Sequence, residues 1–382
     1  MNNRIYLDNA ATTPLDGEVL ENMIHVMREF YGNPSSSHAH GRKVKGMLEE
    51  SRGKIAKLLH CQTSEIFFTS GGTEADNLAI RSSVKSLGVE NIITSAIEHH
   101  AVLHTVEELS RAGLVKMHLV KLDEKGHIDL NHLQELLQSI GSKTLVSLMH
   151  ANNEIGNLMD IKKVGEIVHK AGALFHCDTV QTMGHYSFDL SEGYVDFLAA
   201  AAHKFNGPKG IGFIYISKRN RIKPEITGGS QEREMRGGTE NVYGIIGLAH
   251  ALEICYRDME KKHVHIGEIK KHMIETLRRE IPDVEFNGDA EGNCLYTVLS
   301  VSLPPNEAGN MLLFNLDIAG ISASSGSACS SGSNIGSHVI NAIYPGTDRT
   351  TLRFSFGKYN TQEEIDKTVA ALKTWYATPV VA

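Results

Sequence analysis

Residues 65–88 read EIFFTSGGTEADNLAIRSSVKSLG, and their reading decides the fold. Ile66-Phe67-Phe68 is a short apolar run of strand length, and two glycines, Gly71 and Gly72, end it. The stretch from Thr73 to Leu87 then reads as a helix. Strand, tight turn and helix form the repeating unit of a parallel sheet. The unit recurs downstream. NIITS (91–95) is a strand, followed by helical spacing in HHAVLHTVEELSRAG (99–113). VKMHLV (115–120) and KTLVSLMHAN (143–152) are strands, DIKKVGEIVHKAG (160–172) a helix, and ALFHCD (173–178) a strand. DFLAAAAHK (196–204) and GIGFIYIS (210–217) are two more, joined by FNGPK. The pattern predicts an α/β fold with a mostly parallel seven-stranded sheet covered by helices on both faces. Ligands of such sheets bind at the carboxyl ends of the strands.

The helical stretch 240–281 is too long for one compact element, so a crossover near residue 258 is expected. Beyond it come VEFNG, LYTVLSVSL, a helix around 306–318, a serine-rich loop, TLRFSFG and a closing helix, EEIDKTVAALKTWY. They read as a smaller α+β domain. The expected division is a large domain at 15–257 and a small one built from 1–14 and 258–382.

The chain has 382 residues, 41% hydrophobic and 22% charged, with a net charge of −7. These values fit a globular protein with a sizeable core and give no reason to expect a nucleic acid or a membrane surface as partner. The start, MNNRIYLDNAATTP, has no apolar core of a signal peptide, and no apolar run reaches membrane-spanning length. A cytoplasmic location is expected. Five cysteines (Cys61, Cys177, Cys255, Cys294, Cys329) are scattered, without a C-x-x-C pair, which argues against a disulfide framework or a structural zinc site. His100 and His104 have i, i+4 spacing but lack the glutamate of H-E-x-x-H, and KKHVHIGEIKKH (261–272) reads as a solvated helix face. No metal site is expected from this chain alone.

Four stretches carry chemistry. In TSGGTEADN (69–77) the glycines and the helix start can cradle a phosphate, though the same residues also suit an ordinary capped loop. Asp178 in HCDTVQ lies just past an apolar strand, where a carboxylate can hold a proton on a heterocycle nitrogen; a helix cap is the alternative. Lys204, in AAAAHKFNGPKGIGF (199–213), ends a core strand, where a lysine can serve as a Schiff-base nucleophile. His99, in IEHHAVL, follows a strand at the same sheet edge, where its ring could stack on a planar cofactor. Phosphate cradle, carboxylate, amine and flat ring together are what pyridoxal phosphate needs.

These motifs resemble the cysteine desulfurases of the NifS/IscS type, within the class V aminotransferases and fold-type I pyridoxal-phosphate enzymes. The resemblance runs through YLDNAATTP, YGNPSSSH, FFTSGGTEADNLAI, EHHAVL, MHANNEIG, HCDTVQTMG, AHKFNGPKGIG, MRGGTENV, SSGSACSS and TLRFSFGKYNT, in that order. It implies a Schiff-base role for Lys204, a pyridinium partner in Asp178, a ring-hydroxyl contact in Gln181 and a stacking, proton-transferring His99. Gly72, Thr73 and His203 match phosphate binders, and Thr239 matches a phosphate contact reaching across a homodimer. Asn153 and Arg353 match residues near the substrate carboxylate. Cys329, in the serine run 324–334, matches the sulfur acceptor, so L-cysteine would yield L-alanine and a persulfide on Cys329. That sulfur would pass to an acceptor such as an iron–sulfur scaffold protein or to tRNA thiolation. The implied cofactor is pyridoxal 5'-phosphate, and the Cys329 thiolate could also ligate a cluster transiently. The serine-rich flanks match the longer, mobile version of this loop. One departure stands out: Ala201 occupies the position of a usual phosphate-binding serine. A selenocysteine lyase or an idle, partner-binding scaffold would share part of this pattern.

Overall fold

The computed structural model describes residues 4–140, 143–306, 309–326 and 336–376. The chain opens with β1 (Ile5–Tyr6), α1 (Gly17–Glu29) and α2 (Ala39–Leu58). The repeating units follow as β2 (Ile66–Thr69), α3 (Gly72–Leu87), β3 (Asn91–Thr94), α4 (His100–Arg111), β4 (Lys116–Leu119) and α5 (Leu130–Ile140). They continue with β5 (Thr144–Met149), α6 (Ile161–Lys170), β6 (Leu174–Asp178), β7 (Phe197–Ala201) and β8 (Gly212–Ile216).

These strands form one seven-stranded sheet, ordered β2-β8-β7-β6-β5-β3-β4. All are parallel except β8, which is antiparallel to both neighbours. The cause is local. Only residues 202–211 separate β7 from β8, too few for the helical crossover a parallel pair needs. The expected mostly parallel sheet of seven strands is therefore present.

Alternation along each strand sorts side chains onto two apolar faces. Phe67, Phe197 and Ile214 pack with Leu78 of α3 and Val102 of α4. Phe68, Leu198 and Phe213 pack with Leu48 of α2 and Leu248 of α7 (Val242–Arg257) on the opposite face. Each such fully buried side chain contributes about 1.5–3 kcal/mol.

The long helical stretch is broken where expected. α7 ends at Arg257, and α8 (Met259–Glu280) begins after Asp258. α7 packs on α1 and α2, whereas α8 packs on α11 (Gln362–Tyr376). Between them in sequence lie β9 (Glu285–Phe286), β10 (Val298–Leu303), α9 (Leu312–Ile318), β11 (Ile321–Ser322), α10 (His338–Ile343) and β12 (Thr350–Ser355). β12, β10 and β9 form an antiparallel sheet over a second core that includes Ile266, Met273, Leu299 and Phe354. β1 pairs with β11, tying the N-terminus to this half.

The polar look of residues 261–272 misleads in part. Lys262 and Lys270 are buried, because their stems pack in the interior while Lys262 Nζ donates to Gly184 O (3.3 Å) and Lys270 Nζ to Leu295 O (3.2 Å). A second surprise is Glu232-Arg233-Glu234, with φ of 46°, 56° and 67°. Left-handed backbone costs non-glycine residues about 1–2 kcal/mol each. Glu232 anchors the turn: its buried carboxylate takes both ends of the Arg52 fork and the Phe68 N–H, each at 2.8 Å.

Candidate active site

The carboxyl ends of β5, β6 and β7, the start of α3 and the N-terminal segment enclose a cavity of about 190 Å³. Gly72, Thr73, His99, Asn153, Asp178, Gln181, His203, Lys204 and Arg353 all line it. Nine of the eleven residues singled out in the sequence thus meet in one place.

Gly72 starts α3 at the cavity wall. A Cβ there would stand 2.5 Å from Val180 Cγ2, so only glycine permits this approach. No side chain caps the helix start. Its first amides and dipole therefore present positive character to the cavity beside Thr73. Ala201, at the end of β7, lines the same wall with a methyl group in place of a hydroxyl.

Asp178 ends β6 and accepts a bond from Val180 N–H (2.9 Å). Burial raises its carboxyl above the ordinary range, opposed by that N–H and by Lys204. Lys204 sits in a short 3₁₀ turn (Ala202–Lys204) directly after β7. Its Nζ donates to Ala10 O (2.5 Å) and Ala11 O (2.9 Å), and Gln181 Nε2 donates to Ala10 O (3.1 Å). His203 shares a bond between Nδ1 and Thr12 Oγ1 (3.2 Å), and burial, with Lys204 and Lys209, lowers its pKa to about 4.

His99 caps α4: its Nδ1 accepts the Ala101 N–H at 3.1 Å. Burial, with Lys204, His338 and His104, lowers its pKa to about 4. The ring is therefore neutral near pH 7, and the capping bond leaves its proton on Nε2. His100 stacks on His104 (4.4 Å between centroids) and lies 4.5 Å from His338. Among the described residues no group of three or more histidine, cysteine or acidic side chains is placed to hold a metal ion.

Arg353, on β12, is buried. Its Nη1 donates to Asn153 O (3.0 Å) and its Nη2 to Asp8 Oδ1 (2.8 Å), while Nε is buried without a partner. Asp8 also accepts from Ser324 Oγ (2.9 Å). Cys329 lies outside the described residues, and so does the expectation that its loop is mobile. The flanks of that segment are placed, however. Ser324 bonds to Asp8, and Ser337 Oγ donates to Glu154 Oε2 (2.5 Å), next to Asn153. Both flanks are thus tied to residues at or beside the cavity. Thr239 is not in the cavity; it lines a smaller hollow with Ser70, Gly238 and Asn241.

The other four cysteines are poorly suited to attack. Burial pushes up the thiols of Cys177, Cys255 and Cys61, the last to about 12. The Cys294 Sγ is engaged with Ala290 O and Lys270 Nζ.

Sequence reasoning missed three contributors. The Ala10 carbonyl holds both Lys204 and Gln181, Asp8 holds Arg353, and Asp76 of α3 lines the cavity although only 1% exposed. YLDNAATTP and TEADN marked their stretches but gave no role to these positions. A helical acid four residues beyond Gly72 was the available signal for Asp76.

Uncapped helix start, glycine without room for a Cβ, buried carboxylate and lysine amine suit a planar heterocycle bearing one phosphate. Comparison with known proteins agrees with that reading. The profile of the class-V aminotransferases matches residues 5–368. The chain belongs to the class-V aminotransferase family. A putative cysteine desulfurase IscS 1 of Bacillus subtilis (strain 168) is 43% identical over 96% of this chain and 97% of its own length. The solved structure of a NifS-like protein superposes with a TM-score of 0.89 at 38% identity, covering 97% of this chain and 98% of that one. A third relative, SspA solved in complex with cysteine, has a TM-score of 0.79 at 30% identity, covering 94% of this chain and all of its own. Class-V aminotransferases depend in general on pyridoxal 5'-phosphate, which the cavity's donor set fits. Among the described residues no helix is long and apolar enough to cross a membrane.

Proposed function

We propose that this protein is a pyridoxal-phosphate-dependent cysteine desulfurase. The observation that carries the reading is the meeting of Lys204, Asp178 and Arg353 in one cavity, in a chain about 40% identical over nearly its whole length to proteins named cysteine desulfurase. Bound there, pyridoxal phosphate supplies an electron sink for the substrate's Cα. Gly72, Thr73 and His203 would hold the phosphate, with Thr239 contributing from the second subunit of a homodimer. Asp178 would meet the ring nitrogen, Gln181 the ring hydroxyl and His99 the face of the ring. Lys204 Nζ would be the attaching amine and would then move the Cα proton. Arg353, with Asn153 beside it, takes the substrate carboxylate; its planar fork suits a bidentate pair. The Cys329 thiolate attacks the substrate sulfur. A sulfur–sulfur bond forms, the carbon–sulfur bond breaks, and its electron pair returns to carbon, which takes up a proton to give L-alanine.

Lost phosphate contact at Ala201 removes one charge-assisted bond, worth about 1.5–3 kcal/mol. The persulfide goes on to an acceptor protein, such as an iron–sulfur scaffold, in the cytoplasm. The two separate cores support a large domain at 15–257 and a small one from 1–14 and 258–382. The test is direct. Purified protein with cofactor and a thiol reductant is expected to release L-alanine from L-cysteine, more readily than from selenocysteine. No alanine from cysteine would refute the reading, and a strong preference for selenocysteine would favour a lyase.

A further inference from the structure

Beneath the cavity lies a buried polar chain that the proposed chemistry does not use. β6 places His176 and Asp178 two residues apart, so both point to the same face of the sheet. α3 covers that face, and Asp76 stands one turn beyond Gly72 and Thr73 on the side lining the cavity. Asp76 Oδ1 lies 3.3 Å from His176 Nε2. His176 Nδ1 lies 2.8 Å from Ser147 Oγ, and the β5–β6 register pairs these two residues directly. His176 and Ser147 are 0% exposed and Asp76 1%. The Asp76–His176 contact is at ion-pair range but not aligned as a hydrogen bond, and both atoms otherwise lack a partner.

We propose that Asp76 is a positioning residue for the cofactor: held as a neutral acid donating to His176, it leaves Asp178 the single carboxylate charge beneath the ring. Two carboxyls that share a dry site do not both ionise, so one must keep its proton. Asp178 is the better holder of charge, because it has the Val180 N–H at 2.9 Å and the attraction of Lys204. The strongest influences on Asp76 are burial and two neighbouring acids, Asp178 and Glu98, all of which favour its protonated form. His176 takes no proton in exchange, since burial lowers its pKa to about 3. With Nδ1–H given to Ser147, its Nε2 lone pair faces the Asp76 proton. The remaining groups around the site agree. Glu98, ahead of α4, accepts from Ser95 Oγ (2.7 Å), and burial pushes it up to about 8. His99 at the start of α4 is neutral near pH 7, Lys204 after β7 is the cation until its amine takes the cofactor, and Cys177 points to the opposite face of β6.

This inference rests on the cavity being a pyridoxal-phosphate site, and the experiment separates the two. Holoprotein is titrated with pH while the visible band of the bound cofactor is followed, and cofactor release is timed after dilution into apo-enzyme trap. Asp76→Asn keeps the internal charge unchanged, so its midpoint should stay within about 0.3 unit of the parent. His176→Phe removes the acceptor, so the Asp76 proton is shared with Asp178; the midpoint should move by about one unit and release quicken about tenfold. In the double variant no acid proton remains to share, and the parent midpoint should return. Should His176→Phe not fold, Ser147→Ala is expected to move the midpoint by about half a unit, and Asp76→Asn again to restore it. A parent without a visible band would refute the cofactor site, and this proposal with it. A parent with the band would leave the site standing; then a shift of a unit or more in Asp76→Asn, or a double variant shifted as far as His176→Phe, would overturn this proposal alone.

Discussion

The Lys204→Ala protein is expected to release L-alanine from L-cysteine on the order of 10³-fold more slowly than the parent, and to lose the parent's visible absorption band. Lys204 is the only lysine among the described residues lining the cavity, so no neighbour can replace its amine. The proposed function asks this one residue for two tasks, attachment of the cofactor and movement of the Cα proton. Proton transfer by a positioned group alone contributes about 10²–10⁴-fold. The fold should survive the change. Lys204 Nζ does tie down Ala10 and Ala11, but Gln181 Nε2 also holds Ala10, and Thr13 remains bonded to the His203 carbonyl through N–H and Oγ1. Circular dichroism should match the parent. Activity within tenfold of the parent, with the band intact, would remove Lys204 from the centre of the chemistry.

Asp178→Asn is expected to weaken cofactor binding by about 10²–10³-fold. Breaking a buried charge pair by neutralising one partner costs about 3–5 kcal/mol. Asparagine is nearly the same size and can still accept the Val180 N–H through Oδ1, so the change isolates the charge. Cofactor titration by fluorescence measures the loss. An unchanged affinity would mean that Asp178 is itself protonated when the cofactor is bound, and that the ring nitrogen has no charged partner.

Much of this architecture could be read from the chain because neighbouring residues decide it. The runs FFT, LVSLM and FLAAA are apolar on both faces, which is the mark of strands covered by helices on each side. Lys204 and Asp178 were readable for a related reason: a charge at the end of such a run falls at the sheet's carboxyl edge. What could not be read depends on contacts distant in sequence. Arg52 looks like any surface helix arginine, yet it is buried on Glu232, 180 residues away. Asp8 acquires its role only when β12 brings Arg353 beside it, 345 residues away. Asp76 sits in a helix that reads as amphipathic, and only the packing of α3 over β6 turns it toward His176. The strained turn at Glu232-Arg233-Glu234 has no glycine to announce it. α1, α2 and α5 carry mixed surfaces whose apolar stripes find partners only in the assembled layers.

The central claim is that sulfur leaves the substrate onto Cys329. Mass spectrometry of holoprotein mixed with L-cysteine, without reductant, tests it most directly. The account predicts a gain of one sulfur atom, mapped to the peptide carrying Cys329 and missing in Cys329→Ala. A gain that persists in that variant and maps to Cys61, Cys177, Cys255 or Cys294 would contradict it.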